Sequence, residues 1–175
     1  LRLWVMNTEF TEDQRIGPDI LKSTADLYRR LRNTLRYLLG ALADCQEAER
    51  LPRAEMPDLE RWVLHRLAEL DRVVRDGYGR YDLHRLTTEL HNFCAVDLSA
   101  FYFDIRKDSL YCDRPDDPRR RATRTVMVHL LECLTAWLAP ILCFTAEEAW
   151  QDWRKQGGAA GPESVHLRLF PEIPG

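Results

Sequence analysis

A chain of 175 residues, 45% hydrophobic and 30% charged, has enough apolar content for one full core, and no apolar run approaches the roughly 20 residues needed to span a bilayer. A formal net charge of −3 excludes a globally basic protein, so any contact with nucleic acid has to be a local patch. The five cysteines are an odd number and none stands in a CxxC pair, which argues against a disulfide framework or a zinc knuckle and points to a reducing, cytoplasmic setting.

The chain opens with LRLWVMNTEF, which has neither the basic region nor the small-residue cleavage site of a signal peptide. It reads as the last turns of a helix arriving from an earlier part of a longer polypeptide. Thr8 to Gly17 is polar and loop-like. Gly17-Pro18-Asp19 then starts a long helix, with Pro18 suited to its first turn, and the apolar period runs to about Ala43. A loop carrying Pro52 and Pro57 follows. The second helix starts near Asp58, with Leu59, Trp62, Val63, Leu67, Leu70 and Val74 at helical spacing, and Gly77 and Gly79 are expected to close it.

A third helix begins near Tyr81-Asp82, carries Leu83, Leu86, Leu90, Phe93, Cys94, Leu98 and Phe101, and ends in SAFYFDIRKDSLY. After the turn Arg114-Pro115-Asp116-Asp117-Pro118, a fourth helix covers Arg119 to Ala139, and Pro140 breaks it. Thr145 with Glu148 three residues on fits a capping box, starting a fifth helix through about Lys155. Gly157 to Pro162 reads as a flexible link. Val165, Leu167 and Leu169 alternate with His166 and Arg168, the pattern of a short strand. The fold class expected is all-α: a bundle of four to five antiparallel helices with a short strand-like C-terminal tail. Residues 1–156 make the helical domain, with 1–16 as the connection from a preceding domain, and 157–175 form a linker and extended tail.

Within the first helix, YRRLRNTLRYLL from Tyr28 to Leu39 separates its residue types by face. At roughly 100° per residue, Ile20, Thr24, Leu27, Leu31, Leu35, Leu38 and Leu42 share one sector, while Arg29, Arg32 and Arg36 form a row on the far side. From Ala25 to Gly40, Asp26 stands against Arg29, Arg30, Arg32 and Arg36, a local balance of +3 in a chain of −3. Repulsion along such a row costs a few tenths of a kcal/mol per pair, whereas buried leucines return roughly 1.5–3 kcal/mol each. The helix therefore tolerates the row, and an anionic partner is one reason to keep it. A solvated helix face is the other reading. Arg106-Lys107, set among aromatics in FYFDIRKDSLYCDR, is a second basic candidate of a kind suited to single-stranded RNA, with plugging of the bundle end as the rings' alternative role. Arg119-Arg120-Arg121 with Arg124 is a third, balanced by Asp113, Asp116 and Asp117.

Catalytic constellations are missing from the sequence. There is no GxxxxGK[ST], GxGxxG, HExxH or GxSxG spacing, and His65, His84, His91, His129 and His166 are scattered. Asp82, Asp97 and Asp104 read as caps or ion-pair partners. The residues alone describe a non-catalytic helical bundle with a basic face.

Five segments in order, LRLWV, YRRLRNTLRYLL, FYFDIRKDSLY, WLAPILCFTAEEAW and SVHLRLFPE, resemble the anticodon-binding region of isoleucyl-tRNA synthetases of bacterial type. Valyl-, leucyl- and methionyl-tRNA synthetases share the bundle and a variant of the APxxxFxxEExW ending; FYFDIRKDSLY and SVHL favour the isoleucyl family. The resemblance implies a full enzyme that joins isoleucine to its tRNA with ATP and magnesium. Its catalytic domain, with HIGH-like and KMSKS-like motifs, and its editing domain lie outside this chain. It implies no cofactor within these residues, and a cysteine zinc site that bacterial members often carry beyond the bundle. The partner implied is the isoleucine acceptor tRNA. Matched onto this chain, the side chains presented to RNA are Tyr28, Arg29, Arg32, Asn33 and Arg36 of the first helix, with Arg106 and Lys107 after the third. The same domain of a valyl or other class I synthetase, and a protein-interaction bundle without RNA contact, are the alternatives.

Overall fold

The computed structural model describes residues 1–158 and 161–174; residues 159 and 160, inside the expected link, and Gly175 lie outside the described residues. Among the described residues the protein is all-helical. A short helix α1 (Arg2–Met6) precedes α2 (Pro18–Ala41), which starts on Pro18 at its first turn and buries Leu31, Thr34, Leu35 and Leu38. Two 3-10 turns, Glu47–Glu49 and Arg53–Glu55, carry the chain past Pro52 and Pro57 to α3 (Asp58–Arg80). The next three elements form one continuous rod: α4 (Leu83–Asn92), a π-helical segment (Phe93–Tyr102) and α5 (Phe103–Cys112). Ser99 shows the wider pitch, its hydroxyl donating to the Cys94 carbonyl five residues back at 2.8 Å. Asp117 caps α6 (Pro118–Leu138), accepting from the amides of Arg119 and Arg120, and α7 (Cys143–Lys155) completes the set.

The helix α6 is the axis of the molecule. Fifteen of its residues are buried, and α2, α3, α5 and α7 pack around it. Contacts along the helices fix their directions. Tyr37 stacks on Phe103 with ring centroids 4.5 Å apart, and Tyr28 meets Thr145, so α2, the rod and α7 run one way. Thr123 reaches Glu60 and the Trp137 carbonyl accepts from Tyr78, so α3 and α6 run the other. The expectation of antiparallel neighbours therefore holds between these two sets but not within them.

Three boundaries differ from expectation, each for a local reason. Gly77 does not end α3. It lies inside the helix with its α-carbon face against Leu86, where an added Cβ would stand 3.0 Å from the Leu86 Cβ, and this close approach lets α4 fold back onto α3. The helix stops at Tyr81, which takes a left-handed φ of 59°, and Asp82 caps α4 by accepting from the Arg85 amide. The helix α7 begins two residues before the expected capping box, because the Thr145 hydroxyl is bonded to Tyr28 instead of a backbone amide. The expected strand is a 3-10 turn, Val165–Leu167, since only Val165 is buried while Leu167 and Leu169 face solvent. Alternation without a partner edge gives no ladder.

The tail after α7 is strapped to the bundle by polar contacts. The Glu147 carboxylate accepts from Ser164 and the Val165 amide, the Trp150 indole donates to the Pro162 carbonyl, and Arg168 lies over the Trp150 ring at 4.0 Å. Three of the five cysteines, Cys45, Cys94 and Cys133, are buried, whereas Cys112 is exposed and Cys143 half-buried. Burial pushes the Cys94 thiol up to about 12.

Two outcomes follow from this packing. Leu31→Ala removes a side chain at the α2–α6 seam, where Leu31 is 1% exposed, and should cost about 2–5 kcal/mol in urea unfolding. Thiol labelling of the native chain should modify Cys112 fast and reach Cys45, Cys94 and Cys133 only after denaturant is added.

Candidate nucleic-acid interface

With its apolar stripe turned toward α6, α2 must present the opposite face to solvent. Arg29, Arg32, Asn33 and Arg36 are all exposed there, on one face at three- and four-residue spacing. Lys22, also exposed, continues the same line two turns earlier, and sequence reading passed it over because it lies outside the dense arginine run. Arg29 forms an exposed ion pair with Asp26 at 2.9 Å. Arg32, Asn33 and Arg36 make no side-chain hydrogen bond or ion pair among the described residues, so their donors are open to a ligand. Arg30 turns toward the rod, where burial first and its positive charge second hold His91 below the usual imidazole range.

Two of the sequence-derived candidates have other work. The Tyr28 hydroxyl is 3.0 Å from the Thr145 hydroxyl, and the ring packs against the core, so Tyr28 joins α2 to α7. Arg106 is anchored inward: its Nε and Nη2 donate to Glu60 at 2.7 and 2.8 Å, with Glu60 fully buried and the arginine side chain 12% exposed. Tyr102 and Thr123 donate to the same carboxylate. Arg106 is therefore a structural partner and is not kept among the candidate contacts. Lys107 is exposed and pairs with Asp104 at 2.8 Å, within reach of solvent but with its charge locally balanced.

The remaining basic run is also largely structural. Arg119 pairs with Asp113, Arg121 donates to the carbonyls of Ala48 and Glu49, and buried Arg124 joins Glu49 and the Ala43 carbonyl. Of the aromatics in FYF, Tyr102 and Phe103 are buried, and Phe101 is half-exposed with its ring edge-on to Trp62 at 5.4 Å. The rings serve the bundle first. Asp82, Asp97 and Asp104 prove to be a cap and two ion-pair partners. Among the described residues no group of three metal-binding side chains converges, and no helix is long and apolar enough to cross a membrane.

The outer face of α2 thus holds a row of exposed cationic and amide donors in which the Arg29–Asp26 contact is the one ion pair among the described residues. A protein family described as "Anticodon-binding domain of tRNA ligase" matches residues 60–175, two thirds of the chain. The chain belongs to that family. It is 59% identical over 175 residues to an isoleucine–tRNA ligase of Ruegeria pomeroyi, a match covering 99% of this chain and 18% of that ligase. Isoleucine–tRNA ligases of Agrobacterium fabrum and Gluconobacter oxydans are 53% and 52% identical, over 99% and 98% of the chain and 17% of each ligase. The chain therefore spans less than a fifth of the length of these relatives. The isoleucyl-type resemblance drawn from the five segments agrees with the names of these relatives.

The two kinds of arginine in this domain are separable by stability. Arg106→Ala strands a buried carboxylate and should lower the unfolding free energy by about 3–5 kcal/mol, whereas Arg36→Ala should leave it within about 0.5 kcal/mol. Urea midpoints of the two variants measure both.

Proposed function

We propose that the outer face of α2 binds the anticodon stem-loop of an isoleucine-accepting tRNA, within a ligase that joins isoleucine to that tRNA using ATP and magnesium. The observation that carries this reading is the open row of Arg32, Asn33 and Arg36, with Arg29 and Lys22 along it, in a chain of the anticodon-binding family. Arginine binds phosphate and pairs bidentately with a guanine edge, and asparagine suits an unpaired adenine. Lys107 is a peripheral contact in this reading. The names of the relatives support isoleucine as the amino acid. Amino-acid activation and the removal of mischarged product belong to the parts of such a ligase outside this chain, and the ligase acts in the cytoplasm on a soluble tRNA pool.

A phosphate-bound arginine adds a salt-sensitive contribution, with a slope of about 0.7–0.9 per phosphate neutralised. A base-reading one adds roughly 1–3 kcal/mol of discrimination. Arg32→Ala is expected to weaken cognate binding most and to narrow the gap between cognate and altered anticodons, with Arg29→Ala and Arg36→Ala chiefly lowering the salt slope. Binding of isoleucine tRNA transcripts to the folded variants reads this directly. Unchanged affinity and specificity in all three would reduce the row to a solvated helix face.

A further inference from the structure

The row on α2 does not stand in a basic surface. Its α7 side is a shallow groove of about 90 Å³, whose walls are Arg32 and Arg36 on one helix and Glu148 and Asp152 on the other. The floor is apolar, from Leu35, Leu39 and Ala149. The α7 carboxylates are not equivalent. Glu147 points away from the groove and holds the tail through Ser164 and Val165, while Glu148 is exposed and bears no ion pair among the described residues. Among the described residues Asp152 pairs with Lys155 alone, at 3.1 Å. Neither acid closes onto Arg32 or Arg36 as an ion pair, although all four line one small groove. The acids therefore add little to folding, and α7 would keep its strap and its core face without them.

The other flank is nearly balanced. Exposed Asp104 and Asp108 of α5 stand on the outer side of the rod that packs alongside α2, with Lys107 paired to Asp104. A strip of cations about one helix wide is thus bordered by carboxylates on its α7 side, and by a nearly balanced surface on its α5 side.

We infer that Glu148 and Asp152 are specificity-determining residues: a carboxylate border that repels phosphates crossing from α2 toward α7 and confines RNA to a single strand laid along the arginine row. The inference rests on the reading of α2 as the RNA-binding face. Only phosphates well inside the screening length of about 8 Å at physiological ionic strength feel these carboxylates strongly. An RNA held only by its backbone samples many registers and meets this border in most of them. A strand held by base contacts to Arg32, Asn33 and Arg36 has one register and avoids it. The border thus costs non-cognate binding more than cognate binding, which is discrimination by repulsion. It also supplies a physical use for acids that the fold itself does not require.

The test compares the 175-residue chain with its E148Q/D152N variant, each titrated with an isoleucine tRNA transcript and with the same transcript carrying a changed anticodon, across a salt series. The variant should bind the altered transcript about threefold or more tightly at low salt, with a steeper salt dependence. Cognate affinity should change by a smaller factor, so the cognate-to-altered ratio falls. E148Q alone, which leaves the Asp152–Lys155 pair intact, should show the same sign and serves if the double variant is destabilised. Unchanged binding of the altered transcript, or equal gains for both transcripts, would overturn the border. Arg29→Ala, Arg32→Ala and Arg36→Ala run alongside separate the two ideas. Loss of cognate binding in any of them with no effect of E148Q/D152N rejects the border alone, and unchanged binding in all three rejects it together with the RNA-binding face.

Discussion

The arrangement depends on one buried carboxylate. Glu60 sits in the first turn of α3 with no solvent exposure, and it accepts from Arg106 twice, from Tyr102 and from Thr123. Those donors come from α5, from the π segment and from α6, so a single carboxylate ties three elements to α3. A buried ion is tolerated only when its lone pairs are filled, and here four donor atoms converge on two oxygens. The consequence reaches α2. Phe103, next to Tyr102, stacks on Tyr37, and that contact sets how α2 lies against the rod. With α6 on one side and the rod on another, α2 has no freedom to turn, and its arginine row faces outward by default.

The same network explains why basic residues here are not interchangeable as candidate contacts. Arg106, Arg121 and Arg124 satisfy interior or loop acceptors, and Arg119 balances Asp113. The open cations that fall in a single row lie on α2, whereas exposed Arg2, Arg15, Arg72 and Arg85 stand apart from one another on other elements. A chain with a net charge of −3 can afford RNA contact only in such a strip, and its surrounding acids keep the contact from spreading into nonspecific adhesion.

The helical content, the position of α2 and the outward direction of its arginines were legible in the sequence, because periodicity separates Leu31, Leu35 and Leu38 from Arg29, Arg32 and Arg36 without help from the rest of the chain. The inner face of α3 was less so. Trp62 was expected inside yet is 37% exposed, and Glu60 occupies the core stripe with Val63, Leu64 and Leu67. A lone glutamate at i of an i, i+3, i+4, i+7 apolar set was the available signal, but its partner Arg106 is 46 residues away and no local pattern links them. The Thr145 capping box and the Val165 strand failed for a similar reason. Each local pattern was overridden by a distant partner, Tyr28 in the first case and the Glu147 carboxylate in the second. The wider pitch at Phe93–Tyr102 leaves no mark on hydrophobic spacing, since nearly every residue there is apolar.

RNA should meet the outer face of α2 and not another surface of the bundle. Nitrogen-15 spectra that resolve the arginine Nε–H signals, recorded while an anticodon stem-loop RNA is titrated into the chain, test it most directly. The Arg29, Arg32 and Arg36 signals and the Asn33 side-chain amide are expected to shift together on addition of RNA, while the Arg106 and Arg124 signals, held by Glu60 and by Glu49 and Ala43, stay in place. Shifts confined to the Trp62–Phe101 surface or to the α6 N-terminus, with the α2 arginines unmoved, would contradict it.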